Sequence, residues 1–356
     1  MKPINNIVYL KPHKTASTTL MSILYRYGDL RNLSFVLVPA TSNDRMVRHF
    51  RPEWAPPLTN GVHYNIFARH TRFNKSALQE FMPKDSFYIT IIRGPLSHFQ
   101  SRFDHYRMKN LFKLNDESPI KDLLQRLNNG TIPHLMQPTV IAGKFIFRNP
   151  LLFELGMEPM DTLNETLVRN KILELNKQFD LVLLAEYFDE SLVLMKRLLH
   201  WDYIDIMYMR KWWRKGQREQ LTSAEKKMIM DLNSMDSLLY QYFNRTLWEK
   251  FNKQDSRFWE EVKEFKRLNE ENLDRCVDRN KRGPLGGHFT SYESYPIKRD
   301  IENRTFCNRM AVDSWVYTAY LIKKQFPLLK DPQMKNGFTP SQLKYLKNWT
   351  PFKGYS

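Results

Sequence analysis

The run Lys11-Pro12-His13-Lys14-Thr15-Ala16-Ser17-Thr18 gathers groups that hold anions. Lys14 supplies a point charge, and Thr15, Ser17 and Thr18 supply hydroxyl donors. Where such a turn opens a helix, the unbonded N–H groups of the first turn and the positive end of the helix dipole face the same spot. This is chemistry for a phosphate or sulfate group. It is not the nucleotide-triphosphate loop G-x-x-x-x-G-K-[ST], because no glycine stands between Ile4 and Gly28, and that counts against a Mg-dependent kinase.

The flanking residues predict how this turn is held. Ile7-Val8-Tyr9-Leu10 reads as a short buried strand, and Leu20, Ile23, Leu24 and Tyr27 fall at helical spacing. Further strands are predicted at Ser34–Val38, Val62–Ala68, Ser86–Ile92 and Phe179–Leu184. Helices are predicted over Ser76–Met82 and on the Leu96, Phe99, Phe103, Tyr106 repeat, with another after Asp189 as its cap. Leu111–Asn176 is broken by prolines and glycine and carries little periodic signal; Thr222–Val277 reads as mostly helical, Gly283–Pro296 as a loop and Val312–Phe326 as a final helix. Strands alternating with helices predict an α/β fold, a P-loop-like parallel sheet flanked by helices with a helical C-terminal part. The reading is one domain over residues 1–356, with its core in about 5–200 and the helical, cysteine-bearing part in about 201–356. Ligands of such sheets bind beyond the carboxyl ends of the strands. Lys14, His70 and Arg93 each follow a predicted strand, so all three are expected at one crevice.

Composition bounds the partners. The 356 residues carry a formal charge of +17, 42% hydrophobic and 13% aromatic residues, which describes a folded protein with anionic partners. Lys and Arg are spread along the chain and no named nucleic-acid motif occurs, so a phosphorylated cofactor and a glycan rank above DNA or RNA. Only Cys276 and Cys307 occur, too few for a four-cysteine zinc site, and no ligand spacing suggests any other metal. Seven Asn-x-Ser/Thr sequons, at Asn32, Asn74, Asn129, Asn164, Asn244, Asn303 and Asn348, favour the secretory pathway. There a Cys276–Cys307 disulfide can form, worth on the order of 3–4 kcal/mol in the chain-entropy model; two unpaired buried thiols are the alternative. No apolar run approaches a membrane span, and Met1 does not open a signal peptide.

The segment Ile7 to Leu20 resembles the 5′-phosphosulfate-binding loop of Golgi carbohydrate sulfotransferases, most closely the galactose-3-O-sulfotransferase family that includes cerebroside sulfotransferase. His63–Phe73, Ser86–Tyr106, Phe179–Leu199 and Leu232–Lys250 share the likeness. The resemblance implies the sulfotransferase fold, 3′-phosphoadenosine 5′-phosphosulfate as donor, and no metal. It also implies a galactoside acceptor on lipid or protein, and a Golgi-lumenal type II membrane protein whose N-terminal anchor lies outside this chain.

Residue by residue, the resemblance gives Lys14 to the departing 5′-phosphate and makes Lys11, Lys14, Thr15, Ala16, Ser17 and Thr18 the donor loop. Arg93 and Ser101 match the family's 3′-phosphate pair. A sugar hydroxyl needs a base to react at neutral pH, and histidine is the commonest. His70, in Ala68-Arg69-His70-Thr71-Arg72-Phe73, matches the family's Asn-His-x-Arg-Phe segment and is the first choice; His13 is the second. Gly94 departs from the Arg-Asp-Pro usual in relatives. Glu186 and Tyr187 are expected on the acceptor side, and Trp212-Trp213-Arg214-Lys215 offers a sugar-stacking or headgroup surface. The rival readings are a hexuronic acid 2-O-sulfotransferase and a nucleotide- or glycan-binding protein without catalysis.

Overall fold

The computed structural model describes residues 1–37, 48–52, 58, 62–132, 147–211, 220–280 and 295–326. Four strands form one sheet: β1 (Ile7–Leu10), β2 (Ile66–Arg69), β3 (Phe87–Ile92) and β4 (Leu181–Leu184). Their order is β2-β1-β3-β4, and every pairing is parallel. β1 and β4 are buried along their whole length, as a sheet covered by helices on both faces requires. The chain leaves β1 for β2 on one side and returns to β3 on the other. The carboxyl end of β1 is therefore the point where strand order reverses, the position at which open parallel sheets bind ligands.

Register fixes what meets there. Leu10 lies level with Arg69 on one neighbour and Thr90 on the other. Lys11 and His70 thus emerge side by side, and Arg93 follows just past the end of β3.

The helices that concern the site are α1 (Ser17–Leu30), α2 (Lys75–Phe81), α3 (Pro95–His105), α4 (Pro150–Glu154), α5 (Glu165–Gln178), α6 (Phe188–Leu199), α7 (Ser234–Asn252), α8 (Phe258–Cys276), α9 (Arg304–Ala311) and α10 (Ser314–Gln325). Local chemistry sets several of their starts. Asn74 and Asn164 accept backbone N–H bonds at the heads of α2 and α5, and Pro95 and Pro150 sit in the first turns of α3 and α4, where a missing N–H costs nothing. The main core runs from Ile7 to Ile322, so C-terminal helix α10 packs on the same core as β1.

Several expectations change. Ser34–Val38 forms no strand within the described residues; Phe35 makes a single parallel bridge to Ile66, and its neighbours serve as a connector. The strand predicted from Val62 begins only at Ile66, because Val62 itself is exposed. The weak region Leu111–Asn176 holds helices at Pro119–Asn128, α4 and α5; Pro119 and Pro150 open the first two instead of breaking them. Asp189 does not cap α6; it lies in the first turn and accepts a bond from the Tyr208 hydroxyl at 2.7 Å. Thr222–Val277 is helical as read, in three helices. Cys276 and Cys307 form a disulfide, with both residues buried. The loop expected at Gly283–Pro296 falls almost entirely outside the described residues.

Candidate active site

The β1–α1 turn achieves without glycine what glycines usually permit. Lys14 and Ala16 both adopt left-handed backbone, with φ of 61° and 65°, a conformation uncommon for side-chain-bearing residues and characteristic of functional loops. Ala16 is the N-cap of α1 and offers no side-chain cap; the Thr19 N–H turns back to the Ala16 carbonyl at 3.0 Å, and no side chain caps the N–H groups of Ser17 and Thr18. The hydroxyls of Thr15 and Ser17 both donate inward to the Pro12 carbonyl, at 3.3 and 2.5 Å. They shape the loop from within, while Lys14 and Thr18 stay half-buried and Ala16 is exposed.

Beside the loop stand the two histidines. Their rings stack 3.8 Å apart at 16°. The Lys11 ammonium donates to His70 Nε2 at 2.6 Å, while His70 Nδ1 is buried without a hydrogen-bond partner. Burial, followed by the charges of His13 and Lys11, holds the His70 imidazolium well below the usual histidine range. Lys11 is itself pushed down to about 7, by burial first and then by the nearby Lys14, with Glu154 pulling the other way and Arg69 adding to the repulsion. Lys14 and Arg69 thus repel Lys11 at this end of the sheet, and Glu154 and Asp313 oppose them. A multiply charged anion would relieve the repulsion, so the residues present fit a phosphorylated donor.

His13 is held on three sides. Its backbone N–H donates to Glu154 Oε2 at 2.7 Å, its ring Nδ1 meets Glu154 Oε1 at 3.0 Å, and its carbonyl accepts from His98 Nε2 at 2.9 Å. His98 is buried and pushed down to about 3, chiefly by that burial and then by Arg102, which keeps it neutral. Glu154 ends α4, and α4 is fastened by Asp236 of α7, whose two carboxylate oxygens take the N–H groups of Leu151 and Leu152 at 2.9 and 3.0 Å. Burial raises Asp236 to about 7 in spite of these bonds.

At the end of β3, Arg93 donates to the Lys14 carbonyl at 3.2 Å and to the Ser97 hydroxyl at 2.9 Å. Ser101, the expected partner, lies one turn further along α3, half-exposed. Glu186 Oε1 takes both the Gly94 N–H at 2.9 Å and the Ser97 hydroxyl at 3.0 Å, so it ties the β3–α3 turn together. A Cβ at residue 94 would meet that oxygen at 3.2 Å. A side chain at residue 94 would therefore press on the carboxylate with which Glu186 closes over the turn.

The geometry brings Lys11, His13, Lys14, Thr15, Ala16, Ser17, Thr18, His70 and Arg93 to one end of the sheet. Sequence reasoning missed Glu154, His98, Ser97 and Asp236. Glu154 lies in a stretch without a motif, 141 residues from His13, and Asp236, though inside the segment Leu232–Lys250, is 84 to 85 residues from the α4 residues it holds; only the fold makes them neighbours. The tryptophan pair Trp212-Trp213 lies outside the described residues. Among the described residues no group of three or more His, Cys, Asp or Glu is placed to hold a metal ion, and no helix is long and apolar enough to cross a membrane.

The sequence is also similar to named proteins. The model of the family "Galactose-3-O-sulfotransferase" matches residues 1–285. Human galactose-3-O-sulfotransferase 2 is 31% identical over 349 residues, covering 91% of this chain and 85% of its own. Human galactosylceramide sulfotransferase is 32% identical over 302 residues, covering 81% and 66% respectively, and Bos taurus galactose-3-O-sulfotransferase 3 is 30% identical over 349, covering 90% and 78%. With the family matched across most of its length, the chain belongs to the galactose-3-O-sulfotransferase family.

Proposed function

We propose that this protein moves the sulfuryl group of 3′-phosphoadenosine 5′-phosphosulfate to the 3-hydroxyl of a terminal galactose on a glycolipid or glycoprotein glycan. The observation that carries the reading is the meeting of the Lys14 loop, the stacked His13–His70 pair and Arg93 where strand order reverses. When bound, the donor supplies an activated sulfur and a leaving group whose negative charge grows at its 5′-phosphate.

The chain's own residues divide the remaining work. Lys14 and the uncapped N–H groups at the head of α1 stabilise charge on the 5′-phosphate, the kind of preorganised electrostatics that dominates such transfers. Lys11, Thr15, Ala16, Ser17 and Thr18 give the loop its charge and shape. Arg93 offers its planar fork to the 3′-phosphate, held by Ser97 with Ser101 one turn on. The His70–His13 pair receives the proton of the acceptor hydroxyl. The catalytic unit is one domain, supported by a core that extends from β1 to α10. The disulfide and the sequons fit the Golgi lumen, with membrane attachment through a segment outside this chain.

Transfer of labelled sulfate to a terminal β-galactoside, set against desulfated glycosaminoglycan, tests the reading. Transfer to the galactoside that Lys14→Ala and the double variant His13→Ala/His70→Ala each abolish supports it. Transfer to glycosaminoglycan alone would make the enzyme a hexuronic acid 2-O-sulfotransferase, and donor binding without any transfer would make it a binding protein.

A further inference from the structure

We propose that Glu154 is the positioning carboxylate of a Glu154–His13 dyad, and that this dyad makes His13, through its Nε2, the proton acceptor of the histidine pair. The inference rests on the function proposed above and assigns a role within it to a residue that carries no sequence motif.

The argument begins with what each nitrogen can do. The Glu154 carboxyl is held below its ordinary range: burial alone would raise it, but the His13 ring and backbone N–H, together with Arg102, outweigh burial. An ionised carboxylate only accepts hydrogen bonds. His13 Nδ1, 3.0 Å from Oε1, must therefore be the protonated nitrogen, which leaves the lone pair on Nε2. The second oxygen takes the backbone N–H of the same residue at 2.7 Å, so one carboxylate fixes both the ring and the chain that carries it. His98 secures the carbonyl on the other side. This is the arrangement by which a buried carboxylate orients a histidine base and stabilises the imidazolium it becomes.

His70 is placed differently. Its Nε2 receives the Lys11 ammonium at 2.6 Å, and its other nitrogen is buried without a partner. While Lys11 is protonated, His70 has no lone pair to present, and burial beside Lys11 and His13 opposes its taking a proton. Its flat face packs on His13 at 3.8 Å and keeps that ring upright. Of the two rings, only His13 combines an acceptor nitrogen with no partner among the described residues, a counter-charge and partial exposure, at 19% of its side chain.

The step balances as an in-line transfer. The acceptor O–H bond breaks with its proton going to His13 Nε2, the oxygen bonds to sulfur, and the sulfur–oxygen bond to the 5′-phosphate breaks with its electron pair leaving on that phosphate. Glu154 stays ionised and offsets the charge gained by His13.

Glu154→Gln tests this, because an amide of the same shape cannot accept at both atoms. The dyad predicts a kcat lowered about 100-fold or more, in the range of general-base catalysis, with binding of adenosine 3′,5′-bisphosphate unchanged within about threefold. His13→Ala and the double variant His13→Ala/Glu154→Gln should then be equally slow, since residues acting as one unit are not additive. Glu154→Asp should recover part of the loss. A Glu154→Gln rate near wild type, or losses that multiply with His13→Ala, overturns the dyad while leaving the function in place.

If the wild-type chain transfers sulfate to no galactoside, the function fails instead, and 15N spectra of the imidazoles above pH 8 still decide the dyad. Wild type should show His13 protonated at Nδ1, and Glu154→Gln should lose that preference. His13 protonated at Nε2 in wild type rules the dyad out.

Discussion

The two ends of α1 treat buried charge in opposite ways. At its carboxyl end Asp29, fully buried in its side chain, is met by Arg309 at 2.8 Å, Lys324 at 2.8 Å and the Tyr317 hydroxyl at 3.1 Å, so the charge is closed off by α9 and α10. At its amino end Lys11, Lys14 and Arg69 crowd together, Glu154 and Asp313 are the carboxylates that oppose them at Lys11, and the backbone is left-handed at two residues that are not glycine. One end satisfies its buried charge by contacts within the fold. At the other, the neighbouring cations repel Lys11 and lower its pKa, a repulsion that an anionic ligand would offset. A buried charge marks a binding site when the fold leaves it unbalanced, and a structural anchor when the fold does not.

The contrast can be broken from either side. Asp29→Ala strips the closed end of its carboxylate and leaves two cations facing a void; it should cost about 3–5 kcal/mol in denaturant unfolding, and a cost under about 1 kcal/mol would show that the network is ornamental. Lys14→Ala at the open end should leave unfolding unchanged and lower kcat by about 10²–10³-fold, as removal of one preorganised charge-stabilising donor does; equal losses of stability and activity would erase the distinction between the two ends. Cys276→Ser opens the disulfide that tethers α9, the helix bearing Arg309, and should cost about 3 kcal/mol with the transfer rate retained in the protein that remains folded.

The smallest effect is the most specific. Lys11 loses its proton near pH 7 in the presence of Lys14, Arg69, Glu154, Asp313 and neutral His70. Its charged form, which attracts phosphate, prevails below that pH and is lost above it. Affinity for adenosine 3′,5′-bisphosphate should therefore fall between pH 7 and 9, by at most about tenfold per unit for a single proton. Lys11→Met should flatten the slope, and a flat wild-type profile would remove Lys11 from the ligand's surroundings.

Much of the site was legible in the sequence because its parts obey local rules. A buried strand, a basic hydroxyl-rich turn and a helix follow one another in Ile7–Tyr27, and the strand ending in Ile92 runs straight into Arg93. Even the convergence of Lys14, His70 and Arg93 followed from one general property of parallel sheets, that connections at their carboxyl ends share a crevice. What failed lay where local signals are short or absent. The stretch after Ser34 is apolar enough for a strand yet makes one bridge, and proline hides the helices between Leu111 and Asn176.

By itself, then, the sequence determined the strand, turn and helix of Ile7–Tyr27 and the basic, hydroxyl-rich character of that turn, which depend on neighbours a few residues apart, and the place of His70 beside it, which follows from the rule of parallel sheets. Only the tertiary structure decided how His13 and His70 differ. Glu154 meets His13 across 141 residues and Lys11 meets His70 across 59, and the protonation of an imidazole is set by the partner of its other nitrogen, a contact that no spacing along the chain encodes.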